Sequence, residues 1–237
     1  MKITQINDSE IVWPYFYTFC IKSKPYDFCE IPSKFLRDKK IRGLFEEFSS
    51  CNIYQAEENG KIVGFVFITE EQNCLDVSFL FGIRKNFTSP KLIKATHAIF
   101  KVALRACNKN YLKSEIRRKF KVKSYRKWIE RYDKTAIIFN DSQNTVVWCN
   151  SDSMSVKFKV VGTNKTTEHL LGKEGSLTHS YQKHEHGLMR ELLFEDKKYL
   201  LDEKSVDFLP SFVLIHGLLS DNEKNVGRIA LEFIPQK

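Results

Sequence analysis

Residues 52 to 69 constrain the fold of this chain most tightly. Two β-prone runs, Asn52 to Glu57 and Ile62 to Thr69, flank the tetrapeptide Glu58-Asn59-Gly60-Lys61. A two-residue hairpin loop needs positive φ at both central positions, and Asn-Gly adopts it at the least steric cost. The spacing therefore predicts an antiparallel hairpin with a fixed register. A third run, Leu75 to Ile83, is apolar enough to be covered on both faces.

The neighbouring segments supply the cover. Met1 to Ile6 reads as a first strand. Glu10 to Cys20 is apolar and aromatic but contains Pro14, which predicts a short or broken helix. Ser33 can cap a helix in which Leu36, Ile41, Leu44, Phe45 and Phe48 recur at helical spacing. Ser89-Pro90 starts another, with Ser89 as cap, Pro90 in the first helical position, and Leu92, Ala95, Ile99, Ala103 and Leu104 as its buried stripe. Tyr111 to Arg118 reads as a strand, Val122 to Tyr132 as a basic helix and Thr135 to Asn140 as a strand. This order predicts an α/β or α+β fold with a mixed sheet. From Thr145 the pattern turns mainly β, with runs at Val146 to Cys149, Val156 to Val161, Phe212 to Leu219 and Arg228 to Ile234. The piece from Gly162 to Gly187 reads as an extended loop of the length that often carries function or an interface. The expected organisation is a domain over residues 1–141 and a β-rich extension over residues 142–237.

Charge is placed unevenly. The 237 residues carry a formal net charge of +9, yet residues 1–140 sum to +11 and residues 141–237 to −2. Between Arg84 and Lys134 there are 17 Lys and Arg against only Glu115, Glu130 and Asp133, a local net of +14. Such a window points to an anionic partner: nucleic acid, a phosphorylated cofactor or an acidic protein surface. The alternative is a solvated basic face. Six cysteines stand singly with no CxxC pair, which fits reduced thiols and neither a disulfide framework nor a zinc module. No signal peptide is apparent, and the longest apolar stretch, Phe212 to Leu219, is too short to cross a bilayer. A cytoplasmic location is expected.

The element order, the Asn-Gly hairpin and the strand-then-helix step at Phe79 to Lys94 resemble the GNAT superfamily of N-acetyltransferases over roughly residues 1–141. The segment Lys121 to Lys134, with its Trp128-Ile129-Glu130-Arg131 run, is similar to the late helix of GNAT-like proteins encoded by tailed phages. In that family acyl-CoA binds where the third strand of the run hands over to the next helix, on a glycine-bearing loop whose bare N–H groups approach the pyrophosphate. Here the corresponding stretch, Arg84 to Lys91, has no glycine, Phe87 would crowd a close approach and Pro90 lacks a donor. Arg84, Lys85, Lys91 and Lys94 remain as point charges for CoA phosphates. The tyrosine that commonly protonates the departing thiolate aligns with Ile129, and an aliphatic side chain cannot be a general acid. Tyr125 or Tyr132 is the substitute if the site is active, with Asp76, or Glu70, as general base.

Two further sets stand out. His179, His184 and His186, with Glu185 and His169 nearby, form the histidine cluster. His-x-His on a strand would put both rings on one face for a metal, and a polar loop is the alternative. Lys113, Arg117, Arg118, Lys119, Lys121, Lys123, Arg126, Lys127 and Arg131 make an anion or partner surface, with Tyr125, Trp128 and Tyr132 either stacking on bases or packing inward. The expected function is a catalytically degenerate GNAT-like protein with a structural or protein-binding role, phage-encoded and virion-associated, its partner held through the C-terminal extension. The alternatives are a divergent acetyl-CoA-dependent N-acetyltransferase and a nucleic-acid-binding protein.

Overall fold

The structure, a computed structural model, describes residues 1–22, 28–83, 90–116, 126–127, 129, 135–149, 157–184, 187–194, 197–209, 212–221 and 224–233. It divides into two compact units, one of residues 1–71 and 75–108, the other of residues 72–74 and 109–237.

The first unit runs β1 (Lys2–Ile6), α1 (Trp13–Lys22), α2 (Lys34–Glu46), β2 (Asn52–Glu58), β3 (Lys61–Glu70), β4 (Leu75–Gly82) and α3 (Pro90–Ala106). Its strands pair antiparallel in the order β1-β2-β3-β4. The hairpin turns as its sequence requires, with Asn59 at φ 51° and Gly60 at φ 71°. Ser33 caps α2, its Oγ accepting from Leu36 N. The segment at Glu10 to Cys20 forms a short helix, one of its two expected forms: α1 starts at Trp13 after a 3-10 turn at Ser9–Ile11, and Pro14 is its second residue, where no intrahelical N–H is needed. Leu36 is exposed, while Ile41 and Phe45 carry the buried face of α2.

Alternation along the strands gives the sheet two buried faces. Ile53, Phe65, Phe67 and Phe81 join Val12, Phe16, Cys20, Ile41 and Phe45 under α1 and α2. Phe16, fully buried, lies within 5.0–6.3 Å, centroid to centroid, of Phe45, Phe48, Phe67, Phe79 and Phe81. Tyr17 donates to Asp38 at 2.7 Å and ties α1 to α2. Tyr54, Ala56, Val66 and Ile68 occupy the alternate positions, and α3 packs against β2 and β3 with Ala95, Ile99, Ala103 and Leu104 buried, as its stripe predicted.

The second unit holds β5 (Tyr111–Glu115), β6 (Ala136–Ile138) and β7 (Thr145–Cys149), paired antiparallel in the order β5-β7-β6. Asp141 closes the β6–β7 turn by accepting from Thr145 N at 2.8 Å and Thr145 Oγ1 at 2.6 Å. Then comes a closed six-stranded antiparallel barrel: β8 (Lys157–Thr163), β9 (Glu174–His184), β10 (Gly187–Phe194), β11 (Lys197–Phe208), β12 (Val213–Asp221) and β13 (Lys224–Phe233), with β13 returning to β8. The loop expected from Gly162 to Gly187 is therefore corrected, since β9 takes eleven of its residues and a 3-10 turn at Glu168–Leu170 takes three more. The sequence of β9, EGSLTHSYQKH, has only Leu177 and Tyr181 as large apolar residues, so no apolar run or strict alternation marks it as a strand. Gly175 has no room for a side chain, because a Cβ there would strike Leu193 O and approach Phe158 to 2.8 Å.

Arg190 on β10 and Glu203 on β11 form an ion pair at 2.8 Å with neither side chain exposed. Arg190 also donates to Ile138 O at 2.5 Å and to Thr178 O at 3.2 Å, and lies 5.5 Å over the ring of Phe139. The second Glu203 oxygen accepts from Asn140 N at 2.6 Å. Removing either partner strands a buried charge, so Arg190→Met or Glu203→Leu alone is expected to cost about 3–5 kcal/mol in urea unfolding. The double replacement is expected to cost far less than the sum, and strict additivity would show that the two charges do not act as a pair.

Candidate functional site

Where β3 and β4 pair, the register shifts by one residue: Phe67 faces Phe79, but Ile68 faces Val77, which leaves Ser78 as the extra residue of a β-bulge. Bulges re-aim side chains and cluster beside active sites. Ser78 Oγ and Thr69 Oγ1 lie 2.5 Å apart, and Cys51 Sγ is 3.4 Å from the same Thr69 oxygen. A line of two hydroxyls and a thiol thus runs from Ser78 on β4 through Thr69 on β3 to Cys51, the residue just before β2. Asp76 stands opposite Thr69, half-buried and two residues from the bulge, with a polar partner of its own. Glu70 sits on the exposed end of β3. Of the two carboxylates proposed as base, Asp76 is the one beside the bulge.

The strand-to-helix step expected to hold CoA is only partly described. Arg84 and Lys85 lie outside the described residues, and Lys91 falls in the first turn of α3. Lys94 is exposed on α3, a helix with no acidic side chain. A phosphate-bearing cofactor fits that part of the site as far as charge goes. The late helix is described only at Arg126, Lys127 and Ile129. Ile129 is 1% exposed, a core side chain in the position where the family resemblance places the acid. Arg126 is 9% exposed, which takes it out of the basic surface to which it was assigned, while Lys127 is exposed. Lys113 is half-buried on β5 with its Nζ 5.6 Å from the Phe208 ring centroid, so its charge is partly spent within its own unit. Arg117, Arg118, Lys119, Lys121, Lys123, Tyr125, Arg131 and Tyr132 lie outside the described residues.

His179 and His184 both fall on β9, His169 is exposed in the 3-10 turn, and Glu185 and His186 lie outside the described residues. Among the described residues no group of three or more metal-binding side chains comes together. A cavity of about 540 Å³ opens on the barrel, lined in part by Thr163, Lys204, His216, Leu218 and Arg228. Lys204 pairs with Asp202 at 2.5 Å and His216 Nε2 lies 3.0 Å from Asp207, so two of its basic groups have acidic partners. No helix among the described residues is long and apolar enough to cross a membrane.

Among solved structures, an acetyltransferase of the GNAT family from Staphylococcus aureus Mu50 is similar at 13% identity, covering 63% of this chain and all of its own, with a TM-score of 0.42. The PaiA N-acetyltransferase of Thermoplasma acidophilum, in complex with coenzyme A, aligns at 12% identity over 62% of this chain and 98% of its own, TM-score 0.41. Tetrahymena GCN5 aligns at 13% over 64% and 98%, TM-score 0.41. No family model and no curated protein matches the sequence. The chain's own element order, β1-α1-α2-β2-β3-β4-α3-β5, is the one the GNAT resemblance implies, and a closed β-barrel follows it.

The hydroxyl and thiol line escaped sequence reading because a bulge is a property of register between two strands. Its thiol also differs from the buried ones. Burial pushes the Cys20 thiol up to about 12 and raises Cys149 as well, so neither forms thiolate at neutral pH, whereas Cys51 is only half-buried. Iodoacetamide at pH 8 is expected to modify Cys51 in the folded protein and to reach Cys20 and Cys149 only after unfolding, as read by peptide mass spectrometry. Equal labelling of Cys20 in the folded and unfolded states would contradict its burial.

Proposed function

We propose that this chain is a divergent acyl-CoA-dependent N-acyltransferase whose barrel engages a protein partner. The observation that carries the reading is the bulge at Ser78 in β4, the strand that leads to α3 and its exposed Lys94. In this reading Lys94 and Lys91 hold cofactor phosphates as point charges, joined by Arg84 and Lys85. Acyl-CoA, when bound, supplies the thioester carbonyl. In this reading the amine nitrogen bonds to the thioester carbon as the C–S bond breaks, Asp76 takes the amine proton, CoA leaves as its thiolate, and of the hydrogen-bonded Ser78 and Thr69 hydroxyls one is left to donate. In this reading the barrel cavity is the surface that meets the partner.

One observation favours a second reading. Because Ile129 is a buried aliphatic side chain, no acid stands at the position where the family resemblance puts one. A protein that binds without turning over, as a structural component of an assembly such as a phage particle, fits that feature.

Calorimetry of the whole chain with acetyl-CoA, followed by thiol release with a panel of primary amines, separates the two. The acyltransferase reading expects binding at about micromolar Kd, weakened about tenfold or more by the pair Lys91→Ala and Lys94→Ala, and amine-dependent CoA release that Asp76→Asn lowers at least about 100-fold, the scale of general-base catalysis. Binding without release assigns the binding role, and absence of binding rejects the enzyme.

A further inference from the structure

The exposed face of α3 carries a row of cations that packing does not use and of which the acyl-transfer reading uses only Lys94. Lys94, Lys101 and Arg105 are all exposed and recur at i, i+7 and i+11, which at 100° per residue puts them on one line along the helix. At 1.5 Å per residue the line has steps of about 10 and 6 Å. None of the three has an ion pair or side-chain hydrogen bond among the described residues. No acidic residue occurs anywhere from Val77 to Ser114. Between the cations the exposed or half-buried positions hold only Ala98 and Val102, short enough to let a partner come close.

An ordinary solvated helix mixes signs on its outer face, because Glu at i, i+4 from Lys stabilises it and a single-sign row repels itself. A row without acids is the footprint of a polyanion. We propose that the outer face of α3 binds the phosphate backbone of nucleic acid, independently of base sequence. A regular chain of like charges suits an unbroken row of cations, whereas a folded acidic protein presents its carboxylates among basic groups. A lipid surface fits poorly, since interfacial helices insert an apolar face and that of α3 is already buried against β2 and β3. This inference is independent of the acyltransferase reading, because Lys101 and Arg105 lie about 10 and 16 Å along the helix from Lys94.

The test is fluorescence anisotropy of a labelled 20-base-pair DNA duplex titrated with the whole chain from 25 to 200 mM salt, with poly-glutamate as a second probe. The wild type is expected to bind at 25 mM salt, with log K falling linearly against log salt. The pair Lys101→Gln and Arg105→Gln is expected to lower that slope by about 2, near 0.9 for each lost contact, and to weaken binding about tenfold or more at the lowest salt. Circular dichroism checks that the variant stays folded, and Lys101→Glu, an exposed single change, serves if the pair does not. An unchanged slope in the folded variants, or no binding at 25 mM salt, overturns the proposal. Binding of poly-glutamate but not of the duplex, lost in the same variants, overturns it in favour of an acidic protein.

Discussion

Taking a guanidinium and a carboxylate out of water costs several kcal/mol per ion, and the second unit does both at one place. Arg190 and Glu203 repay that cost only through geometry: one ion pair, two carbonyl acceptors for Arg190 and one backbone donor for Glu203. Those partners come from β6, from the residue just beyond Ile138 and Phe139, and from β9, so the pair fixes the barrel strands β10 and β11 against the β6 segment. Register irregularities lie beside both residues, one between Arg190 and Leu192 and the other between Glu203 and Ser205; Glu203 follows the inward alternation of Tyr199 and Leu201, and just after it Lys204 and Ser205 both face solvent.

The first unit is held by different physics. Its sheet is apolar on both faces, and the face under α1 and α2 is filled with phenylalanine rings in tilted and edge-to-face contact. Such a core leaves little freedom at Phe67, Phe79 and Phe81, so the one place where β4 departs from regular pairing stands on a rigid frame. The Ser78 bulge, with Thr69 and Cys51 beside it, is therefore a fixed polar feature at the edge of an aromatic core. A site for chemistry needs that kind of support.

Much of the first unit was legible in the chain. The hairpin followed from Asn59-Gly60, α2 from Ser33, and the buried stripe of α3 from the spacing of Ala95, Ile99, Ala103 and Leu104, because each depends on neighbours a few residues apart. Pro14 left open whether the helix is short or broken, and the 3-10 turn at Ser9–Ile11 decides it by putting the helix start at Trp13, where proline carries no penalty. β9 was missed because Glu174 to His184 has only Leu177 and Tyr181 among glycine, serine, histidine and charged residues, so its strand character comes from pairing with β8 and β10 and not from a local pattern. In the site, Asp76 was legible as a carboxylate near the central strands, but the Ser78 bulge was not. Arg126 was counted with the surface cations because charge in a sequence carries no sign of burial.

By itself the sequence determined the local elements of the first unit, the absence of acidic residues around α3 and the lack of glycine between Arg84 and Lys91. These are properties of composition and short-range spacing. Only the tertiary structure decided that the C-terminal third closes into a barrel, that Arg190 and Glu203 meet inside it and that Ser78 is the residue left over in β4. Each of those depends on which strand lies beside which and in what register, and pairing between residues as far apart in sequence as Phe233 and Phe158 leaves no local pattern to read.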